Sequence, residues 1–206
     1  MQTPLFIAEH SCHARGFIGS MIAKWMAFAT AGANEKAVSL LDIQNGEKVL
    51  DFGTGHGRTL GLIHNRTPDG LTVGLDNSPI MIKEAIRRNK SHIENNTMEI
   101  YQSHGASLKF SDGYFDKALM VHSCYFLHPL EEYFAEMKRA LKKDGVFVVC
   151  FQRRRQHRPN TLPDEVYRLR TAEEMKVLLW DAGFTLTEEA VLEKGNKPLV
   201  WLKVQA

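Results

Sequence analysis

Apolar positions recur along the chain in two rhythms. Between residues 16 and 43, Phe17, Ile18, Met21, Ile22, Trp25, Met26 and Phe28 stand one, three and four apart, the spacing of an amphipathic helix. The run Ala31-Gly32-Ala33-Asn34 is read as its break, and a second helix over about 34–42 carries Ala37, Val38, Leu40 and Leu41 to the turn "QNGE". From "KVLDF" (48–52) onward, short apolar runs of strand length alternate with helical stretches. Strands are expected at 48–52, 71–76, 98–103, 115–121 and 145–151, with helices after Gly57, from Ser78, and over 130–143. Ser78 followed by Pro79 is a helix start, because the hydroxyl can accept an orphan N–H and proline loses no bond in the first turn. A polar, proline-containing connector (152–170) leads to a helix at 171–183, then to two strand-like pieces, "FTLTEEAVLEK" and "PLVWLKVQ". The few residues between those pieces cannot form a crossover helix, so an antiparallel hairpin closes the chain. The pattern predicts an α/β, Rossmann-like doubly wound sheet of seven strands, mostly parallel with the last antiparallel.

Composition narrows the class. The 206 residues suit one compact domain, with 44% hydrophobic and 24% charged residues. A net charge of +2 does not by itself argue for nucleic acid. Cys12, Cys124 and Cys150 are widely spaced, with no CxxC pair, which argues against a zinc site or a disulfide framework. No run reaches 18 apolar residues and the first residues lack a basic and then apolar leader pattern, so a cytoplasmic protein is expected.

The chemistry concentrates in "VLDFGTGHGRT" (49–59), where Gly53, Gly55 and Gly57 alternate directly after the first strand. A glycine-rich turn there is the ligand corner of a doubly wound sheet. Asp76 ends the second strand 19 residues beyond Gly57, where an acid can accept hydrogen bonds from both hydroxyls of a ribose. Two features oppose a dinucleotide. The spacing is GxGxG, with Arg58 where a dinucleotide fingerprint needs its third glycine, and Asp51 sits where a pyrophosphate would meet negative charge. S-adenosylmethionine, with a ribose for Asp76 and a cationic amino-acid tail for the loop and Asp51, meets neither objection.

On these residues the chain resembles the class I S-adenosylmethionine-dependent methyltransferases, in the UbiE-like "methyltransferase type 11" group. "LDFGTGHG" is similar to the family's first motif, "GLDNSPIMIKEA" to its second, and "LKFSDGYFDKALMVHSCYFLHP" to the region around strand four. "LKKDGVFVV" is similar to the segment that usually reads leucine-lysine-proline-glycine-glycine, and "LLWDAGF" to the last helix. The resemblance covers about residues 40 to 190. It implies that Gly53, Thr54, Gly55 and Gly57, with Asp51 nearby, serve the methionine end, that Asp76 holds the ribose, and that Asn77 and Met81 border the adenine. Where the family usually has an acid and an alanine, this chain has His104 and Gly105, so adenine contact falls to His104; Gly105 and Val121 complete the implied cofactor set. It also implies a helical lid over residues 1–44 ahead of a cofactor-binding domain at 45–206.

Methyl transfer from a sulfonium is an in-line displacement, so alignment and, for some nucleophiles, proton removal are the enzyme's tasks. No metal is required. The stretch "VHSCYFLHP" (121–129) lies where the methyl group should point, which makes His122 and His128 the catalytic candidates. His122 as base competes with His122 as pocket lining, His128 can equally cap the next helix, and Cys124 reads as a buried packing residue. The four residues His122-Ser123-Cys124-Tyr125 stand where base-amino methyltransferases carry an Asp/Asn-Pro-Pro-aromatic motif, which disfavours nucleic acid and leaves a small-molecule or lipid-like acceptor. "RRRQHR" (153–158) is either a solvated loop or an anion contact. The apolar first helix is read as a lid rather than a transient membrane-surface contact. A monomer or homodimer is expected. A non-catalytic binding module or partner subunit, an RNA methyltransferase and a nicotinamide-dependent oxidoreductase are the competing classes.

Overall fold

The computed structural model describes residues 30–103, 105–154, 166–194 and 197–206. Its elements in chain order are α1 (Ala31–Leu41), β1 (Lys48–Phe52), α2 (Arg58–His64), β2 (Leu71–Asp76), α3 (Pro79–Arg88), α4 (Lys90–Glu94), β3 (Met98–Gln102), β4 (Phe115–Val121), a 3₁₀ turn (Cys124–Phe126), α5 (Leu130–Ala140), β5 (Leu141–Gln152), α6 (Ala172–Asp181), β6 (Thr185–Lys194) and β7 (Lys197–Gln205). The sheet runs β3-β2-β1-β4-β5-β7-β6, and β7 lies antiparallel to both neighbours while the remaining pairings are parallel. This is the seven-stranded Rossmann-like sheet the periodicity predicts, with its antiparallel closing hairpin.

Two apolar layers sandwich the sheet, and the strand period of two decides which residue joins which. Val49, Leu119, Val148, Cys150 and Trp201 face α1, together with Ala33, Ala37, Val38 and Leu41 of that helix. Their neighbours Leu50, Ala118, Met120, Phe147, Val149 and Phe151 face the opposite layer, filled by Leu130, Phe134, Met137 and Ala140 of α5 and Met175 and Leu179 of α6. The order 2-1-4 puts the carboxyl ends of β1, β2 and β4 side by side, with β1 at the switch in connection direction. A cleft opens at such a point.

Three expectations about local structure change. α1 begins at Ala31 instead of near 34, so Ala31-Gly32-Ala33-Asn34 forms its first turn, while the helix this run was expected to break lies outside the described residues. Small side chains let this turn lie close to the sheet, where the Trp201 indole N–H donates to the Ala33 carbonyl at 3.1 Å. Helix α5 stops at Ala140 instead of 143, and β5 begins at Leu141, because Phe115 pairs with Leu141 before an irregularity shifts the register to Lys117 with Val146. Asp144, at a φ of 66°, turns the intervening segment. The short helix α4 and the 3₁₀ turn carry no long apolar period and escape pattern reading. Ser78 caps α3 as expected, accepting from the Met81 amide with Pro79 in the first turn. Residues 1–29, and with them most of the expected lid, His104 and the basic stretch from Arg155 to Arg158 lie outside the described residues. Among the described residues no helix is long and apolar enough to cross a membrane, and no three metal-ligating side chains converge.

Phe134 is wholly buried and meets Phe147 edge-on, with ring centroids 5.9 Å apart. Phe134→Ala is expected to destabilise the chain by about 3–5 kcal/mol, seen as a lower urea midpoint at unchanged slope.

Candidate active site

The first turn hangs on the end of β2. The amides of Gly53 and Thr54 both donate to the Leu75 carbonyl, at 2.8 and 2.9 Å, and the Gly55 amide donates to the Asp76 carboxylate at 2.8 Å. Gly53 is required twice over: its φ is +83°, and a Cβ there would lie 2.4 Å from that of Ser123. Ser123 in turn donates to the Phe52 carbonyl at 3.0 Å, so the loop after β4 closes down on the loop after β1. Gly57 serves packing, since a Cβ there would meet Ala85 of α3 at 2.7 Å. Asn89 ties the same spot by donating to the carbonyls of Gly57 and Ala85.

These loops enclose a cavity of about 250 Å³ at the carboxyl ends of β1, β2 and β4. Of the residues singled out in the sequence, Asp51, Gly53, Thr54, Gly55, Asp76, Asn77, Met81, Gly105, Val121 and His122 line it. Gly57 and His128 do not. His128 is exposed, and the cap position before α5 belongs to Pro129, so the imidazole neither faces the cavity nor caps the helix.

The cavity's polar end is built around Asp51. Its side chain is 2% exposed and accepts from the Thr54 hydroxyl at 2.8 Å. Burial pushes its pKa up to about 7, the Thr54 bond opposes this, and the nearby Asp76 charge adds to it. Among the described residues no cation is paired with it. Asp76 accepts the amides of Gly55 and Ser78 on separate oxygens, at 2.8 and 2.9 Å, which leaves lone pairs on both for further donors. Its pKa is also raised, by burial first, with the Ser78, Gly55 and Asn77 amides opposing.

Sequence reading missed several lining residues. Asn34 is 8% exposed, lines the cavity from α1, and occupies the helix's buried stripe with Ala37, Val38 and Leu41. A polar residue at an otherwise apolar period position was the available signal. His56 lies inside the glycine motif itself and lines the cavity. Its pKa is lowered to about 4, by burial and then by the Arg88 and Arg58 charges against a weaker Glu84 contribution, so it is neutral near pH 7. Phe126, Leu127 and Tyr133 also line the cavity and add apolar surface to it. Tyr133 comes from α5, some 80 residues from the glycine motif, and no local pattern marks it.

Residues 50–149 match the family described as "Methyltransferase domain". The chain is similar to "24-methylenesterol C-methyltransferase 2" of Arabidopsis thaliana, 28% identical over 120 residues, which is 58% of this chain and 33% of the plant protein. It spans about a third to three-fifths of the length of the first curated relatives it matches. Among solved structures it is similar to a SAM dependent methyltransferase from Aquifex aeolicus, with a TM-score of 0.69 and 21% identity over 84% of this chain and 88% of that one. A geranyl diphosphate methyltransferase solved with GPP and sinefungin gives a TM-score of 0.71 at 15% identity, over 85% and 77%. At these identities the structural likenesses establish the fold.

A carboxyl whose pKa is raised on folding binds its proton more tightly in the folded chain, so its contribution to stability falls as pH rises between the unfolded and folded values. For Asp51 that window is about pH 4 to 7. Urea unfolding of the ligand-free chain is therefore expected to show stability lost across this window, by up to about 4 kcal/mol. Asp51→Asn should flatten that dependence.

Proposed function

We propose that this chain, whose residues 50–149 form a methyltransferase domain of the class I S-adenosylmethionine-dependent kind, transfers a methyl group to a small-molecule or lipid-like acceptor held at the His122 end of the cavity. The observation that carries the reading is Asp51, a desolvated carboxyl partnered by one hydroxyl in a cavity with no paired cation among the described residues. Such a group favours a ligand that brings its own positive charge.

S-adenosylmethionine when bound supplies an electrophilic methyl group on a sulfonium. The chain's residues divide the remaining work along the cavity. Asp51 holds the ammonium, and Asn34, with its buried amide, holds the amino-acid end from the opposite wall. Gly55 leaves open space where a Cβ would stand, so the ligand can lie against the backbone. Asp76 accepts the ribose hydroxyls with its unused lone pairs, and Asn77, Met81 and Gly105 flank the adenine. Phe126, Leu127 and Tyr133 exclude water from the acceptor side and offer it apolar surface. That wall supports an apolar acceptor, as do the names of the sterol and geranyl diphosphate methyltransferases to which the chain is similar.

Calorimetric titration tests the reading. S-adenosylmethionine and S-adenosylhomocysteine are expected to bind and NADH is not; failure of both sulfur ligands would overturn the proposal. Asp76→Ala should weaken binding roughly 10- to 100-fold, the worth of hydrogen bonds to a charged acceptor. Asn34→Ala should cost about 3- to 10-fold. Near pH 6, where Asp51 is largely protonated, binding of the cationic ligand should release a proton and affinity should rise toward pH 7.5.

A further inference from the structure

Beside the first turn of α6 lies a charged groove that shares no lining residue with the cavity. It measures about 660 Å³, and Arg154, Arg168 and Arg170 line it together with Glu173, Glu174 and Val177 of α6. Backbone bonds hold the arginines in place. The Arg154 amide donates to the Arg170 carbonyl at 2.7 Å, and the Arg168 amide to the Tyr125 carbonyl at 3.3 Å.

Charge in the groove does not balance. Glu174 is taken by Arg154 and by the Thr171 amide at 2.8 Å, and Glu173 by Lys176 at 3.0 Å. Arg168 and Arg170 have no acid partner among the described residues. The Arg170 Nη1 is enclosed and has no hydrogen-bond acceptor. Its guanidinium acts on the buried Cys124 thiol, but burial outweighs that pull and holds the thiol pKa at about 12, so the sulfur stays neutral and returns no charge.

Apolar surface continues from the same groove. Val177 and Glu173 also border a neighbouring depression of about 260 Å³, whose wall includes Trp180 and Leu186. Val177 and Trp180 stand three apart on one face of α6 and are 56% and 71% exposed, and Leu186 of β6 is 43% exposed. A tryptophan so far out of the core leaves a large ring in water, and a group of such side chains beside unanswered charge marks a binding surface.

We propose that this groove binds an anionic amphiphile, a single molecule whose phosphate or carboxylate head sits at Arg168 and Arg170 and whose alkyl tail lies along Val177, Trp180 and Leu186. The planar fork of donors on each guanidinium matches the oxygens of either head. Laying the tail on the indole and the two aliphatic side chains takes apolar surface of both partners out of water. A cationic head would meet the two unpaired arginines and is excluded. No residue of the groove or of its apolar extension lines the cavity, so the proposal stands apart from the reading of the active site.

Tryptophan fluorescence at constant ionic strength tests it, with octyl phosphate dissolved below its micelle concentration as the probe. The expected result is a saturable blue shift that is absent in Trp180→Phe and independent of protein concentration. Arg168→Gln should weaken octyl phosphate roughly 10-fold, the worth of a hydrogen bond to a charged group. Arg168 is exposed, so that variant keeps the test open even if Arg170→Gln fails to fold. Octanol, with the tail alone, and inorganic phosphate, read by competition with the head alone, should both bind more weakly than octyl phosphate. No saturable shift, or unchanged affinity in a folded Arg168→Gln, would overturn the proposal. So would octanol or inorganic phosphate binding as tightly as octyl phosphate, which would assign a purely apolar or a purely ionic site. A shift seen only with phosphatidylglycerol vesicles would assign a membrane surface instead, and one that tracks protein concentration a second copy of the chain. The measurement needs neither cofactor nor acceptor, so absence of S-adenosylmethionine binding would sink the proposed function while leaving this result standing.

Discussion

The site depends on how the turn after β1 is fastened to the end of β2. Two amides share the Leu75 carbonyl and a third reaches Asp76, so the backbone of residues 53–55 cannot move without breaking bonds to the neighbouring strand. The fastening demands glycine at position 53, where φ is positive and Ser123 leaves no room for a Cβ. From that constraint the rest follows. Asp51 is carried into the interior just before the turn, Asp76 is placed across from it, and the loop after β4 is brought close enough for Ser123 to bond the Phe52 carbonyl. One backbone arrangement thus sets the two carboxylates and the His122 loop around a common space.

β5 supplies the complementary anchor. Its carbonyl at Cys150 and its amide at Gln152 hold the two ends of the His122–Tyr125 segment, one through the backbone and one through the phenol. The parallel pairing of β4 with β5 makes this possible, because Val121 sits opposite Cys150 at the carboxyl edge of both strands. Strand register therefore reaches directly into the placement of His122 in the cavity wall. The left-handed backbone at His122 persists there because these bonds over-determine it.

How much of this the sequence discloses depends on the distance over which each feature is specified. The sheet was legible because buried strands write continuous apolar runs, and the closing hairpin because its two strands are joined by too few residues for a crossover. Gly53, Gly55, Asp51 and Asp76 were legible as neighbours around one cavity because a tight turn at a strand's carboxyl end leaves glycines and an acid at fixed offsets. Gly57 follows the same spacing yet serves helix packing against Ala85, a distinction made only by α3. Asn34 and Tyr133 reach the cavity through tertiary packing, from helices whose patterns speak only of which face is buried. The start of α1 at Ala31 instead of near 34 has a related reason. Low local propensity was overridden by close packing of small residues on the sheet, capped by the Trp201 bond to Ala33 from the far end of the chain.

The paired acids also explain why a phosphate-binding version of this corner would need a different residue at position 51. In a dinucleotide site the turn's amides face a pyrophosphate, and a buried carboxylate behind them would oppose the ligand's charge. Here two of those amides are spent on the Leu75 carbonyl and one on Asp76, so the turn offers acid rather than free donors to whatever enters. The Asp76 charge adds to the cost of ionising buried Asp51, and Thr54 relieves Asp51 by a single hydroxyl. A cation placed beside them would lower the cost of ionisation. Burial of these two carboxylates is the physical reason such a corner would favour a ligand bearing positive charge over one bearing phosphate.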